Sequence, residues 1–323
     1  MPIPALFQGR IALPVIAAPM FLVSGPDLVV ETCKAGVVGS FPALNQRSTE
    51  SYGEWLAEIR ERTGNAAAPF GVNLIVHRSN TRLDADLAET VRQRVPFVIT
   101  SLGAVSEVVE AIHGYGGLVF HDVINLRHAQ KAAEAGVDGL IAVSAGAGGH
   151  AGTYNPFAFL HEIRQFFRGT IILSGAMSTG AHVVAARAAG ADFAYLGTRF
   201  IATTESRAPE DYKQMILAAT AKDIVYTNAI SGVNGNFLSA SLEAAGLDPA
   251  NLPEFNRELH LGSSEKRAWK NIWSAGQGVG AIQDVPSTAE LVARLASTAK
   301  VTGPKGLTHC RRRPSLSVAA SAK

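Results

Sequence analysis

Gly139-Leu140-Ile141-Ala142-Val143-Ser144-Ala145-Gly146-Ala147-Gly148-Gly149-His150-Ala151-Gly152 reads as an apolar strand running straight into a glycine and alanine loop with one titratable side chain. An apolar run without polar alternation is what a strand buried on both faces of a parallel sheet requires. Outward from it in both directions, runs of the same kind recur, so that the full set covers residues 14–20, 37–44, 69–76, 97–103, 118–124, 139–145, 170–176 and 193–200. Amphipathic stretches separate them, among them 106–113, 126–135 and 181–189. Several helical stretches stop at a glycine (Gly36, Gly136, Gly190), the residue that tolerates the left-handed C-cap. The pattern is a βα unit repeated eight times. An open doubly wound sheet commonly stops at about five or six strands and carries its glycine fingerprint after the first, whereas here the glycine-rich strand ends come late. The predicted class is therefore α/β, a closed (β/α)8 barrel.

At 323 residues the chain has the length of one such barrel with an addition. The barrel is expected over 1–220. From about 221 the pattern changes: a Gly/Asn-rich stretch (228–236), two polar helical segments, residues 269–280 and a last helix near 287–300 read as a helical appendage on the barrel, over 221–300. The remaining 301–323 mixes Gly, Pro, Arg, Ser and Ala without an apolar period and reads as a disordered tail.

With 47% hydrophobic and 17% charged residues, there is ample material for a large core. A net charge of +2, part of it in Arg311-Arg312-Arg313 of the tail, presents no basic face for nucleic acid. No basic cluster precedes an apolar leader, and no window reaches the roughly 18 apolar residues of a membrane span. Cys33 and Cys310 are far apart and lack the neighbours of a redox pair or zinc set, which fits a reduced, cytoplasmic setting.

In a barrel of this type the active site is assembled from the loops at the C-terminal strand ends. Strand seven runs into Ser174-Gly175-Ala176-Met177-Ser178-Thr179-Gly180 and strand eight into Gly197-Thr198-Arg199-Phe200. Small residues with exposed backbone N–H groups near a helix start are what a phosphate needs, and barrel phosphate sites recur after these two strands. The loop after strand six lets backbone approach a flat ligand closely and leaves His150 as its only side chain able to do acid–base work. Other strand ends supply Asn73, Thr100, Ser101, His121 and Asp122. His121 and Asp122 are adjacent on a strand and so point to opposite faces, which excludes a dyad. The histidines are scattered, with no metal-ligand spacing.

Together these residues resemble the nitronate monooxygenase family, formerly called 2-nitropropane dioxygenases, FMN enzymes on a TIM barrel. The matching features are Ala17-Ala18-Pro19-Met20, Gly71-Val72-Asn73-Leu74, Ala147-Gly148-Gly149-His150-Ala151-Gly152, Ser174-Gly175-Ala176, Gly197-Thr198-Arg199-Phe200 and Ile272-Trp273-Ser274-Ala275-Gly276-Gln277-Gly278. The resemblance implies that Ala18, Pro19, Met20 and Asn73 border the flavin, with Ser101, Asp122, Ala147, Gly148 and Gly149 also on the cofactor. It implies that Ser174, Gly175 and Ala176 with Gly197 and Thr198 hold its phosphate, and that His150 faces substrate above the isoalloxazine. Two features depart from the family pattern: Val143-Ser144-Ala145-Gly146 before the glycines, and Asp122, where an anion disfavours a reduced, anionic flavin. The implied reaction is oxidation of an alkyl nitronate, such as propionate 3-nitronate, by FMN and O2 to a carbonyl compound and nitrite, with no metal required. The partners are then a small nitronate or nitroalkane and O2, and a homodimer is left open. A second enzyme reading is an NAD(P)H-dependent flavin reductase acting on quinones or enoyl thioesters. A third is a flavin-binding protein without activity, against which His150 argues.

Overall fold

The computed structural model describes residues 3–302 apart from 66, 78, 104, 105 and 256–271. Eight parallel strands form one sheet: β1 (Val15–Ala17), β2 (Ser40–Pro42), β3 (Gly71–Ile75), β4 (Phe97–Ser101), β5 (Leu118–Val123), β6 (Gly139–Val143), β8 (Thr170–Ser174) and β9 (Phe193–Leu196), in the order β1-β9-β8-β6-β5-β4-β3-β2. The ring closes through the parallel bridge Ile16↔Val38, where Ala17 N donates to Val38 O at 2.8 Å and Val38 N to Val15 O at 3.0 Å. Every residue of β6 and β8 is buried, as strands covered on both faces must be.

Alternate residues turn inward. Ile16, Phe97, Ile99, Phe120, Ile141, Ile172 and Phe193 form an interior cluster, with Phe7 from a 3-10 turn (Ala5–Phe7) inserted among them. The Phe7 ring lies 5.1 Å from Phe193, 5.7 Å from Phe97 and 6.2 Å from Phe120, centroid to centroid. Phe97 and Phe193 are the first residues of their strands, so Phe7 closes the N-terminal end of the barrel. The C-terminal end remains for the site.

The outer layer begins with α1 (Pro26–Lys34), α2 (Thr49–Thr63), α3 (Leu83–Arg92), α4 (Ser106–His113), α5 (Leu126–Glu134), α6 (Pro156–Phe166) and α7 (Gly180–Ala188). Side-chain caps start several of them: Ser48 Oγ accepts from Ser51 N at 3.2 Å and Asn125 Oδ1 from His128 N at 2.8 Å. The eighth strand is shorter than its apolar run. It stops at Leu196, and α8 (Thr198–Ile201) follows, with Phe200 N and Ile201 N both bonded to Gly197 O.

Residues 221–300, expected to be a helical appendage, carry strands as well. After α9 (Glu210–Ala218) come β10 (Ile224–Thr227) and β11 (Gly235–Leu238), antiparallel to each other, then α10 (Ser239–Ala244). The two-residue strand β7 (Gly149–His150) adds to the edge of β11, with Gly235↔His150 and Asn236↔Gly149 in register. The last helix, α11 (Thr288–Thr302), packs against both α7 and α1 and so fills the eighth outer position. Its approach depends on Gly180, where a Cβ would stand 2.1 Å from Leu295 O. Glu205 fixes its start, accepting from Thr288 N at 2.9 Å and Thr288 Oγ1 at 2.7 Å. In chain order, residues 198–287 are thus an insertion between the last barrel strand and the last barrel helix. The second polar helical segment and the tail beyond residue 302 lie outside the described residues.

Candidate active site

A cavity of about 2050 Å³ opens at the C-terminal ends of the barrel strands. That exceeds the roughly 300–1,000 Å³ of a site for one small ligand and leaves room for a cofactor and substrate together. Bordering it are Ala18, Pro19 and Met20 after β1, Asn73, Ser101 and Asp122 on β3 to β5, Ala147 to His150 after β6, Ser174 to Ala176 after β8, and Gly197 and Thr198 after β9, whereas Thr100 does not reach it.

Three loops from distant parts of the chain are joined through backbone at this mouth. Gly146 O accepts from Ala176 N at 3.2 Å and from Gln277 N at 2.9 Å, and Ser178 Oγ donates to Gly278 O at 2.9 Å. Gly175 (φ +130°) could not be replaced without strain: a Cβ would meet Ser144 Oγ at 2.6 Å and Ala145 O at 2.8 Å. Ala176 follows with φ +52°, a left-handed conformation that is costly for a residue with a Cβ. Thr198 Oγ1 accepts from Gly276 N at 2.9 Å and therefore keeps its own proton to donate. Close backbone, a hydroxyl donor and a glycine cradle suit the phosphate of a flavin nucleotide. Arg199, a natural phosphate ligand by charge, is committed elsewhere: it is buried, and its Nη2 meets Asp284 Oδ1 at 3.1 Å.

On the other side of the mouth, Asn73 Nδ2 donates to Ser101 Oγ at 2.8 Å and to Ile99 O at 3.3 Å, and Ser101 Oγ donates to Asp122 Oδ2 at 2.5 Å. Both amide protons of Asn73 are thereby used, and its Oδ1 is left to accept from a ligand. His121 stands on the other face of β5 and meets the cavity only on its α5 side: its Nδ1 bonds Thr100 Oγ1 at 2.8 Å, and burial pushes its pKa down to about 4.

His150 is held by its backbone in β7, against β11, rather than by the barrel. Its Nε2 stands 3.4 Å from Ser231 Oγ, whose single proton goes to Val233 O at 2.8 Å. In that arrangement Ser231 accepts from Nε2–H, the tautomer that places the lone pair of the neutral ring on Nδ1. Burial lowers the pKa of His150, favouring the neutral imidazole. Sequence reading missed Ser231 and Asn236, whose Nδ2 donates to Ala147 O at 2.6 Å. Their signal was the polar, glycine-rich stretch 228–236.

The rim is apolar, with Phe21 (57% exposed), Leu22 (44%) and Leu102 (44%) beside the cavity. Arg47 and Arg207 also border it, the latter with its guanidinium 5.2 Å from the centre of the Trp55 ring. Among the described residues, no three His, Cys, Asp or Glu side chains gather as a metal site, and no helix is long and apolar enough to cross a membrane. Cys33 is buried and its thiol is pushed up to about 12, which makes it inert.

A closed eight-stranded α/β barrel with polar groups and glycine loops converging on a large cavity at its C-terminal mouth defines an enzyme-type TIM-barrel site. The nitronate monooxygenase family model matches residues 6–298, and the chain belongs to that family of flavoprotein oxidoreductases. Nitronate monooxygenase from Paraburkholderia phytofirmans is 29% identical over 87% of this chain and 91% of its own length. The (3aS,4S,5R,7aS)-5-hydroxy-7a-methyl-1-oxo-octahydro-1H-indene-4-carboxyl-CoA dehydrogenase of Rhodococcus jostii is 28% identical over 71% of this chain and 63% of its own. Among solved structures, nitroalkane oxidase from Streptomyces ansochromogenes superposes with a TM-score of 0.77 at 24% identity, covering 92% of this chain and 99% of that one, a likeness of fold.

Proposed function

We propose that this protein oxidises alkyl nitronates, such as propionate 3-nitronate, with FMN and O2 to a carbonyl compound and nitrite. The observation that carries the reading is His150, the one titratable side chain of a glycine loop that borders a cavity with room for a flavin and a substrate. FMN, when bound, supplies the redox chemistry by taking electrons from the substrate and passing them to oxygen. Ser174, Gly175, Ala176, Gly197 and Thr198 would hold its phosphate, and Ala18, Pro19, Met20, Asn73, Ser101, Asp122 and Ala147 to Gly149 would border its ring. Neutral His150 removes the α-proton of a nitroalkane through Nδ1, and its protonated form stabilises the negative charge of a nitronate. Ser231, against Nε2, favours the tautomer that leaves Nδ1 free for the first of these tasks. The reading makes a small nitronate or nitroalkane and O2 the partners, in the cytoplasm.

The decisive experiment is anaerobic mixing of the FMN-loaded protein with propionate 3-nitronate and, separately, with NADH and NADPH. Loss of flavin absorbance with nitronate alone is the expected result. Loss with a pyridine nucleotide alone overturns the reading in favour of a reductase acting on quinones or enoyl thioesters, a second reading favoured by the size of the cavity and its apolar rim. No loss with any of them identifies a flavin-binding protein without this activity.

A further inference from the structure

Asp122 ends a line of hydrogen bonds that crosses three adjacent strands, from Asn73 of β3 through Ser101 of β4 to β5. Its direction is fixed chemically. The amide nitrogen of Asn73 only donates, Ser101 has one hydroxyl proton, and so Asp122 Oδ2 accepts. That bond holds the carboxyl in place and leaves Oδ1 buried without a hydrogen-bond partner. The charged side chains that line the same cavity, Arg47, Lys131, Glu134 and Arg207, stand at exposed positions, as do His128 and His150, and buried His121 lies on the opposite face of β5 with its pKa pushed down by burial. From β9, Tyr195 packs close enough for its buried phenol to feel the charge of Asp122. Burial raises the carboxyl from 3.8 to about 6, the Ser101 bond opposes this, and no cation offsets it. A carboxylate oxygen unpaired in an apolar barrel is costly, and a proton removes that cost. Asp122 stands two places round the ring from β8 and three from β9, the strands that run into the glycine loops.

We propose that Asp122 is a proton carrier for the bound flavin, ionised while the flavin is oxidised and protonated while it is reduced. The inference rests on the flavin reading above. The substrate gives up two electrons; the flavin ring takes them with one proton and ends with one negative charge. A second proton, from solvent, converts the Asp122 carboxylate to the carboxylic acid. The net charge of the cavity is then the same before and after. Two like charges in one poorly solvated space disfavour each other, so charging the ring raises the proton affinity of the carboxylate.

The test is the reduction potential of the flavin-loaded protein, measured by dithionite titration against reference dyes from pH 7.5 to 9. The wild-type protein is expected to take up two protons for every two electrons, and Asp122→Asn one. Ser101→Ala, which removes the bond that opposes protonation, is expected to extend the two-proton range to higher pH. Equal pH slopes in the wild type and Asp122→Asn overturn the proposal. If Asp122→Asn does not retain flavin, an unchanged range in Ser101→Ala overturns it instead. A wild-type protein that takes up no flavin, seen in its absorbance after loading, sinks the functional reading and this inference with it; a flavin-loaded protein with equal slopes sinks this inference alone.

Discussion

Replacing Asp122 by asparagine should make the protein more stable at neutral pH, although it deletes a polar group that the fold holds in place. The carboxyl is raised from 3.8 to about 6 by burial, with the Ser101 bond as a smaller opposing effect. Between those two values the folded protein binds a proton that the unfolded chain has released, so stability falls as pH rises. Below 3.8 the group costs nothing; above about 6 the cost is complete. About two pKa units at 1.36 kcal/mol each give a penalty of about 3 kcal/mol at pH 7 and above. Asparagine has nearly the same shape, its Oδ1 accepts from Ser101 Oγ, and it carries no charge to desolvate. Urea unfolding of the flavin-free proteins at intervals from pH 4.5 to 8 measures the difference directly, and other titrating groups cancel between the two. Asp122→Asn should gain little at pH 4.5 and progressively more up to about pH 7, then level off. A difference that is flat with pH, or one that favours the wild type at pH 8, would refute the argument that this carboxylate is ionised at a cost.

Further outcomes follow from the rest of the site. His150→Asn should retain flavin and lower turnover at least about a hundredfold, the lower range for losing an acid–base group, and steady-state assays showing near-normal turnover would remove His150 from the mechanism. With a neutral nitroalkane, the acid limb of the wild-type pH–rate profile should have its inflection below 6.5, because burial lowers the pKa of His150; an inflection above that value contradicts the assignment. Ser231→Ala should slow turnover of neutral nitroalkanes by about tenfold and leave preformed nitronates within about twofold, since only the former need the base on Nδ1; equal losses on both substrates argue against tautomer control. Gly175→Ala should abolish flavin retention at purification while circular dichroism stays native, because its Cβ would enter the loop at 2.6 Å from Ser144 Oγ. Phe7→Ala should cost about 3–5 kcal/mol in urea unfolding, as the loss of a fully buried aromatic plug.

The strands were legible because burial on both faces writes them as uninterrupted apolar runs, and helices 106–113, 126–135 and 181–189 were placed to within a residue of α4, α5 and α7. The gathering of Asn73, Ser101, Asp122, His150 and the two glycine loops around one cavity was legible for a different reason, since it follows from strand ends in a closed barrel. The eighth strand was overextended to Phe200 because Phe200, Ile201 and Ala202 stay buried, under the insertion, after the chain has turned into α8. Periodicity cannot distinguish one buried surface from another. β11 was missed because it opens with Gly235 and Asn236, residues depleted in strands. Its formation depends on two partners distant in sequence, β10 on one side and β7 on the other. The docking of α11 between α7 and α1 is likewise a matter of which neighbour is vacant, which no local pattern records.

The pairing of Gly149 and His150 with β11 divides responsibility between two parts of the chain. On the proposed reading the barrel strands and their glycine loops would carry the cofactor, while the imidazole of His150 takes its position from β7 paired to β11, inside the insertion. A lengthened or shortened segment between Gly197 and Thr288 would re-aim the imidazole and reshape the rim without disturbing a barrel strand. In this architecture the shape of the rim can vary with the length of one surface segment while the barrel mouth beneath keeps its own geometry.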